Sequence, residues 1–260
     1  MIYYGMIDSD YRALPGLSGS VLNDLWKSPA HYLANQTKKR KETPSMDLGT
    51  AAHCMILEGE AEFNKRYVIA DLDMRTNAGK AMAAEIKAQG LIAIDPEDAE
   101  LCRGMMKAVH AHETAKCFIC TPGKSEVSVT WHDDEHNADY KGRIDRIPDF
   151  GEYIVDLKTT ADIMLWSPKD YLLQASHYLN LLKLNGKPYK NVMFVVVETS
   201  SPFSVRCVQL DSRSLDLARI RTLNLWQAYS SCKTANSFPP LNRGIETYEM
   251  KAYEEKDWTP

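Results

Sequence analysis

The chain of 260 residues lacks most features that would place it in a special class at once. No apolar run approaches the roughly 20 residues that cross a bilayer. The N-terminus, Met1-Ile2-Tyr3-Tyr4-Gly5, has no basic segment followed by an apolar one and does not read as a secretion signal. A soluble, cytoplasmic protein is therefore expected, with no membrane partner. Internal repeats and low-complexity segments are missing. So is an excess of one charge: 31 Lys and Arg stand against 35 Asp and Glu, a net charge of −4. Contact with nucleic acid then has to rely on local patches such as Lys38, Lys39, Arg40 and Lys41. That run fits a solvated loop before Pro44 at least as well. The 6 cysteines form no zinc set: Cys117-Phe-Ile-Cys120 has the spacing of half a site, and no second pair follows. An iron–sulfur cluster would need four thiolates, and the two cysteines after residue 151 are far apart.

What is present is an apolar fraction of 44%, enough for the core of one large domain. A single domain over 1–260 is expected, with a mainly helical part at 1–120, a sheet core at 121–234 and a tail at 235–260. Ser18 or Ser20 can cap a helix whose apolar face uses Val21, Leu22, Leu25 and Trp26. Residues 47–57 read as a buried helix holding His53. Residues 76–89 and 96–116 read as helices, the second capped by Asp95, and 170–184 and 211–233 as two more. Strands are expected at 125–131, 139–147, 191–198 and 204–210. Helices followed by three strands, a helix and two strands make a mixed α/β domain with a central sheet.

The most informative stretch is a hairpin: Gly142-Arg143-Ile144-Asp145, a turn at 148–151, then Ile154-Val155-Asp156-Leu157-Lys158. Residues two apart in a strand share a face, so Asp156 and Lys158 point one way and Val155 and Leu157 the other. A turn centred on Phe150-Gly151 sets 145 opposite 156. Opposed carboxylates repel, which a purely structural hairpin would avoid. A divalent cation removes the objection, because hard cations favour carboxylate oxygens. A solvated surface hairpin is the other reading. Further candidates are individually weak. His53 fits a packed core histidine as well as a ligand. Glu126 reads as facing the same way as Ser128 and Thr130, as a polar partner or an exposed residue. Gln174 and Tyr178, four apart, share a helix face.

The order of these signals is more specific than any one of them. A His in a helix after Gly49-Thr50, then Gly-Arg-Ile-Asp145, then Val-Asp156-Leu-Lys158, then Gln174-x-x-x-Tyr178 resembles the RecB-like branch of the PD-(D/E)xK nucleases. Leu17-Ser18-Gly19-Ser20 and Ser28-Pro29-Ala30-His31-Tyr32 make the chain similar to the exonuclease VIII (RecE) group within that branch, over nearly its whole length. The resemblance implies a restriction-endonuclease-like α/β core, a central mixed β-sheet flanked by helices. It implies a Mg²⁺-dependent exodeoxyribonuclease, with Mn²⁺ able to substitute. Such an enzyme degrades the 5′-ended strand of linear double-stranded DNA and leaves 3′ overhangs for prophage recombination. A homo-oligomeric, tetrameric ring on DNA ends and a single-strand annealing protein as partner are implied as well. By the same resemblance Asp145, Asp156 and His53 match the metal ligands, Lys158 matches the catalytic lysine, and Gln174 and Tyr178 match the helix bordering the site. Glu126 matches a supporting position less closely, and the Leu157 backbone carbonyl is a further expected ligand. The second acid of the motif is Asp156 rather than Glu, both of which occur in the family, and the cysteines of the cluster-bearing RecB relatives are missing. An endonuclease of the same fold and a DNA-binding module with a vestigial site are the alternatives. Intact Asp145, Asp156 and Lys158 argue against the second.

Overall fold

Apolar alternation through the middle of the chain produces a central mixed sheet. A computed structural model describes residues 1–36, 38, 44–241, 244, 245 and 247–251. Among these, the strands are β1 (Ile2–Tyr3), β2 (Leu17–Ser18), β3 (Tyr67–Ile69), β4 (Ile92–Ile94), β5 (Gly123–Asp133), β6 (Ala138–Pro148), β7 (Tyr153–Thr160), β8 (Asn191–Glu198) and β9 (Val205–Gln209). The helices are α1 (Asp8–Ala13), α2 (Leu22–Lys27), α3 (Pro29–Gln36), α4 (Pro44–Glu58), α5 (Glu60–Arg66), α6 (Asn77–Ala88), α7 (Pro96–Ala111), α8 (Glu113–Ile119), α9 (Leu172–Leu184) and α10 (Ser212–Ala235). The large sheet runs β1-β5-β6-β7-β8-β9, with β2 laid parallel to β6. Strands β6 and β7 are antiparallel, and α9 crosses over to make β8 parallel to β7. Strands β3 and β4 form a separate parallel pair.

Both faces of the sheet are covered. Ile154, Val192, Phe194 and Val196 pack with Leu22, Leu25, Tyr178, Leu181 and Trp226 on one side. Val155, Leu157, Val195 and Val197 pack with Met55, Met105 and Ile119 on the other. Burial on both faces explains why β8 is an apolar run and not an alternating one.

The sheet splays where it matters most. Arg146 pairs with Val155, the register that puts 145 opposite 156. Farther along, β2 takes the edge of β6, pairing Leu17 with Tyr140 and Ser18 with Lys141, while β7 stays with β8 through Thr160. A cleft opens between β6 and the end of β7. Helix α9 roofs it closely because two glycines permit the approach. A Cβ on Gly142 would lie 2.9 Å from the Tyr178 ring, and one on Gly19 3.2 Å from the Gln174 side chain.

Several local expectations change. Ser18 and Ser20 do not cap a helix: Ser18 is in β2, its hydroxyl 3.1 Å from that of Ser20, and a 3₁₀ turn leads into α2. The helix expected over 96–116 breaks at His112, whose Nδ1 accepts from the Ala115 amide and caps α8. Short elements β1, α1, α5, β3 and β4 carry too little periodicity to be foreseen. Lys38 is exposed and donates to Asn35 at 3.1 Å, while Lys39, Arg40 and Lys41 lie outside the described residues. Among the described residues no helix is long and apolar enough to cross a membrane.

His177 ties α9 to both β6 and α10. The Trp226 indole N–H donates to its Nδ1 at 3.0 Å, and its Nε2 lies 2.9 Å from the Lys141 carbonyl. Nε2 therefore carries the proton, and the ring is neutral. Burial pushes its pKa down to about 4 against the pull of the Lys141 carbonyl. The unfolded chain binds a proton there near pH 6.5. This contribution to stability is full above about pH 6.5. It is lost on the order of 1 kcal/mol per pH unit as pH falls towards 4. Urea melts between pH 7 and 5 should show the wild-type midpoint falling, and a flatter profile at lower overall stability for His177→Asn.

Candidate active site

The cleft gathers the charged residues of four elements. Asp145 on β6 turns its Oδ2 toward β7 and accepts the Leu157 amide at 2.7 Å. A carboxylate thus takes the place of a β6 carbonyl in the ladder. On β7, Asp156 is 2% exposed, and its Oδ2 lies 2.6 Å from Lys158 Nζ. Asp156 Oδ1 is buried with no hydrogen-bond partner. Lys158 Nζ also donates to Gln174 Oε1 at 3.2 Å, and Gln174 Nε2 donates to the Tyr178 hydroxyl at 2.9 Å. The Tyr171 ring centroid is 4.7 Å from the same ammonium. Gln174 and Tyr178 therefore act as a relay of contacts that fixes the lysine head from the α9 side.

On the α4 side, His53 Nδ1 is 3.7 Å from Asp145 Oδ2. His53, Glu126 and Asp145 each offer one ligand atom, and these atoms lie within 4.8 Å of one another. Glu126 reaches this point by an irregular route. Its φ is +53°, in the left-handed region that side chains rarely adopt. The β5–β6 ladder holds Ser125 with Arg146 and Val127 with Ile144, and lacks the pair between them. Ile144 and Ile147, three apart, pack against the same core, so alternation shifts phase here. The regular-strand argument that grouped Glu126 with Ser128 and Thr130 does not survive this kink. Arg143 Nε holds the Glu126 carboxylate at 2.6 Å, and the Arg143 guanidinium sits 5.7 Å from the Tyr11 ring.

Burial sets the protonation of the cluster. Burial, then the charge of Asp156, pushes the Asp145 carboxyl up to about 7 against the pull of Lys158. Burial and Asp145 likewise raise Glu126, with Arg143 opposing. Burial lowers His53 despite the nearby carboxylates, which leaves a neutral ring with a free lone pair. Burial pulls Lys158 down, yet Asp156 and Asp145 outweigh it and hold its pKa above the usual value. Three carboxylates and an imidazole thus face one another with one ammonium and one guanidinium, short of the charge that would keep every acid ionised. Two carboxylate oxygens and an imidazole nitrogen at this spacing suit a divalent cation. The unpaired Asp156 oxygen fits the same need.

Sequence patterning located Asp145, Asp156, Lys158, His53, Gln174 and Tyr178, and the fold brings them to one cleft. Glu126 stands beside Asp145 and His53 rather than behind them, whereas Asp156 is engaged by Lys158 and outside that group of three. Arg143 and Tyr171 escaped notice. Arg143 lies two residues before Asp145, a spacing that could have flagged it, while nothing local distinguishes Tyr171.

A family described as "PDDEXK-like domain of unknown function (DUF3799)" matches residues 18–249. No curated protein matches the chain. A Eubacterium rectale protein whose crystal structure bears the name "Putative exonuclease" is 13% identical, with a TM-score of 0.62 over 95% of this chain and 97% of that one. That similarity is one of fold. A second structure, of SSO0001, is 15% identical over 58% of this chain and 69% of that one, with a TM-score of 0.30, too remote to bear on the fold.

The crowding of acids has a measurable consequence. Asp145→Asn keeps an oxygen to accept the Leu157 amide and removes one buried negative charge. The metal-free variant should melt a few degrees above wild type at pH 8, about 1 kcal/mol of stabilisation. Wild type should gain stability as Mg²⁺ or Mn²⁺ is added, and the variant should gain little. Thermal melts with and without the ion check both statements.

Proposed function

The chain belongs to the PDDEXK-like DUF3799 family, and from that premise we propose that it is a divalent-metal-dependent nuclease that hydrolyses phosphodiester bonds of DNA. The observation that carries this reading is the meeting of Asp145, Glu126 and His53 beside the Asp156–Lys158 pair in one cleft. A structural ion-pair network would not leave buried carboxylates short of partners, since unpaired buried charge is costly.

The residues divide the work. His53, Glu126 and Asp145 would hold Mg²⁺ or Mn²⁺, with Asp156 and the Leu157 carbonyl as the adjoining oxygens. Imidazole among the ligands suits Mn²⁺ at least as well as Mg²⁺. When bound, the ion supplies a water of lowered pKa and offsets phosphate charge. Hydrolysis joins a water oxygen to phosphorus and breaks the bond to the leaving oxygen, and negative charge grows on the phosphoryl oxygens. Lys158 keeps its proton, so it acts as a fixed positive charge rather than as a base. Asp156, Gln174 and Tyr171 aim that charge, and Arg143 positions Glu126.

Within this class we read the protein as an exodeoxyribonuclease that degrades the 5′-ended strand of linear duplex and leaves a 3′ single strand. The similarity to the exonuclease VIII group supports this, and the name "Putative exonuclease" of the Eubacterium rectale protein supports its exonuclease part alone. That group also suggests a single-strand annealing protein as partner. An endonuclease of the same fold would use the same side chains. Linear and circular duplexes incubated with and without Mg²⁺ separate the two. Loss of linear DNA only, and only with metal, is expected; cutting of closed circles would establish the endonuclease. In the same assay Lys158→Ala should turn over about 10²–10³ times more slowly, with duplex affinity in Ca²⁺ nearly unchanged.

A net charge of −4 gives little general attraction for DNA, because duplex affinity comes largely from phosphate neutralisation. Retention on a long substrate then calls for encirclement, and we propose a homo-oligomeric ring, tetrameric by the same similarity, with Lys38 to Lys41 toward the channel. Sedimentation should show several subunits per particle. A monomer that degrades long duplexes without dissociating would refute the ring.

A further inference from the structure

A groove of about 790 Å³ runs between α2, the start of α9 and α10, outside the cleft described above. Its lining carries more basic than acidic side chains, although the chain as a whole has a net charge of −4. Lys27, Lys169 and Arg221 line it, with Asp170 as the acid on the wall. Trp26 is 54% exposed and Ile220 60% exposed, large apolar side chains that a monomer gains nothing by leaving in water. The Arg221 guanidinium lies 4.1 Å from the Trp26 ring centroid, so a cation and an aromatic face from opposite walls are already in contact.

The groove and the active site meet at the turn before α9. Asn23 on one wall donates to the Asp170 carbonyl at 3.4 Å. The next residue, Tyr171, lies under the Lys158 ammonium at 4.7 Å. A strand whose phosphate reached Lys158 would therefore have the groove as its neighbour. Cations that track phosphates, together with aromatic and apolar surface that accepts base faces, suit single-stranded nucleic acid. A duplex offers stacked bases with no free face, and an apolar protein partner would not call for three cations.

We propose that this groove binds single-stranded DNA next to the cleavage site. Bases stack on Trp26 and Ile220, and phosphates pair with Lys27, Lys169 and Arg221. The assignment rests on the nuclease reading for its direction, and its test needs no cleavage. A fluorescent oligothymidylate of about 20 nucleotides is titrated by anisotropy without divalent ion. Wild type should bind, more weakly as salt rises. Trp26→Ala should weaken binding about tenfold or more, Trp26→Phe should restore most of it, and Arg221→Glu should weaken it at least as much as Trp26→Ala. Wild-type affinity in both Trp26→Ala and Arg221→Glu, or no binding by wild type, overturns the proposal. Sedimentation of the same samples covers the other occupant. If the variants lose subunit association and keep oligonucleotide affinity, the groove belongs to a second copy of the chain and the proposal falls. The two readings fail separately. A protein that cuts no DNA under any metal and still loses oligonucleotide binding in Trp26→Ala keeps the groove and loses the nuclease. One that cuts DNA with groove variants binding normally does the reverse.

Discussion

One hydrogen bond organises the site: the Leu157 amide donating to Asp145. In a continued ladder a β6 carbonyl would take that amide. A carboxylate takes it instead, and the two strands part beyond this point. A hydrogen bond to a charged group contributes about 1.5–3 kcal/mol, enough to replace the ladder bond it displaces. The strands can diverge because β2 satisfies the far end of β6 and β8 satisfies β7. The cleft is thus built from backbone bonds that have been reassigned, and its acids sit on three adjacent strands of the central sheet.

Electrostatics then works against the fold. Unit charges 4 Å apart interact by about 4 kcal/mol at an effective dielectric of 20. Burial and then the charge of Asp156 push the Asp145 carboxyl up to about 7, against Lys158. Lys158 and Arg143 relieve part of this, Lys158 at Asp156 and Arg143 at Glu126, with Asp8 also 3.9 Å from Arg143. Left-handed backbone at Glu126 adds strain on the order of 1 kcal/mol or more. Strain, like charge and an unpaired carboxylate oxygen lie close together here, an arrangement that a divalent cation suits.

Much of this was legible in the sequence because it depends on period. Alternation around Asp156 separates the Val155 and Leu157 face from the Asp156 and Lys158 face, and the turn at Gly151 sets the register. Four-residue spacing puts Gln174 above Tyr178. What could not be read is where period fails. The phase shift at Glu126 depends on one backbone angle, and it converts an apparent supporting residue into a neighbour of His53 and Asp145. His112 divides one expected helix into two by capping the second through its own side chain, a choice that propensity does not reveal. Tyr171 matters because a 3₁₀ turn brings its ring under Lys158, and no spacing rule connects positions 158 and 171.

Helix α9 shows why a fold can persist when identity is as low as 13%. It is buried along most of its length, and some of its contacts are geometrically demanding. Gly142 and Gly19 let it approach β6 and the turn before α2, and His177 fastens it to the Lys141 carbonyl and to Trp226. The same approach places Gln174 on Lys158. Most core positions accept any apolar residue of suitable volume. A glycine that a Cβ would drive into a tyrosine ring does not. The residues least free to change are therefore those that hold the helix at the distance the lysine requires, so the constraint on packing and the constraint on chemistry are the same one.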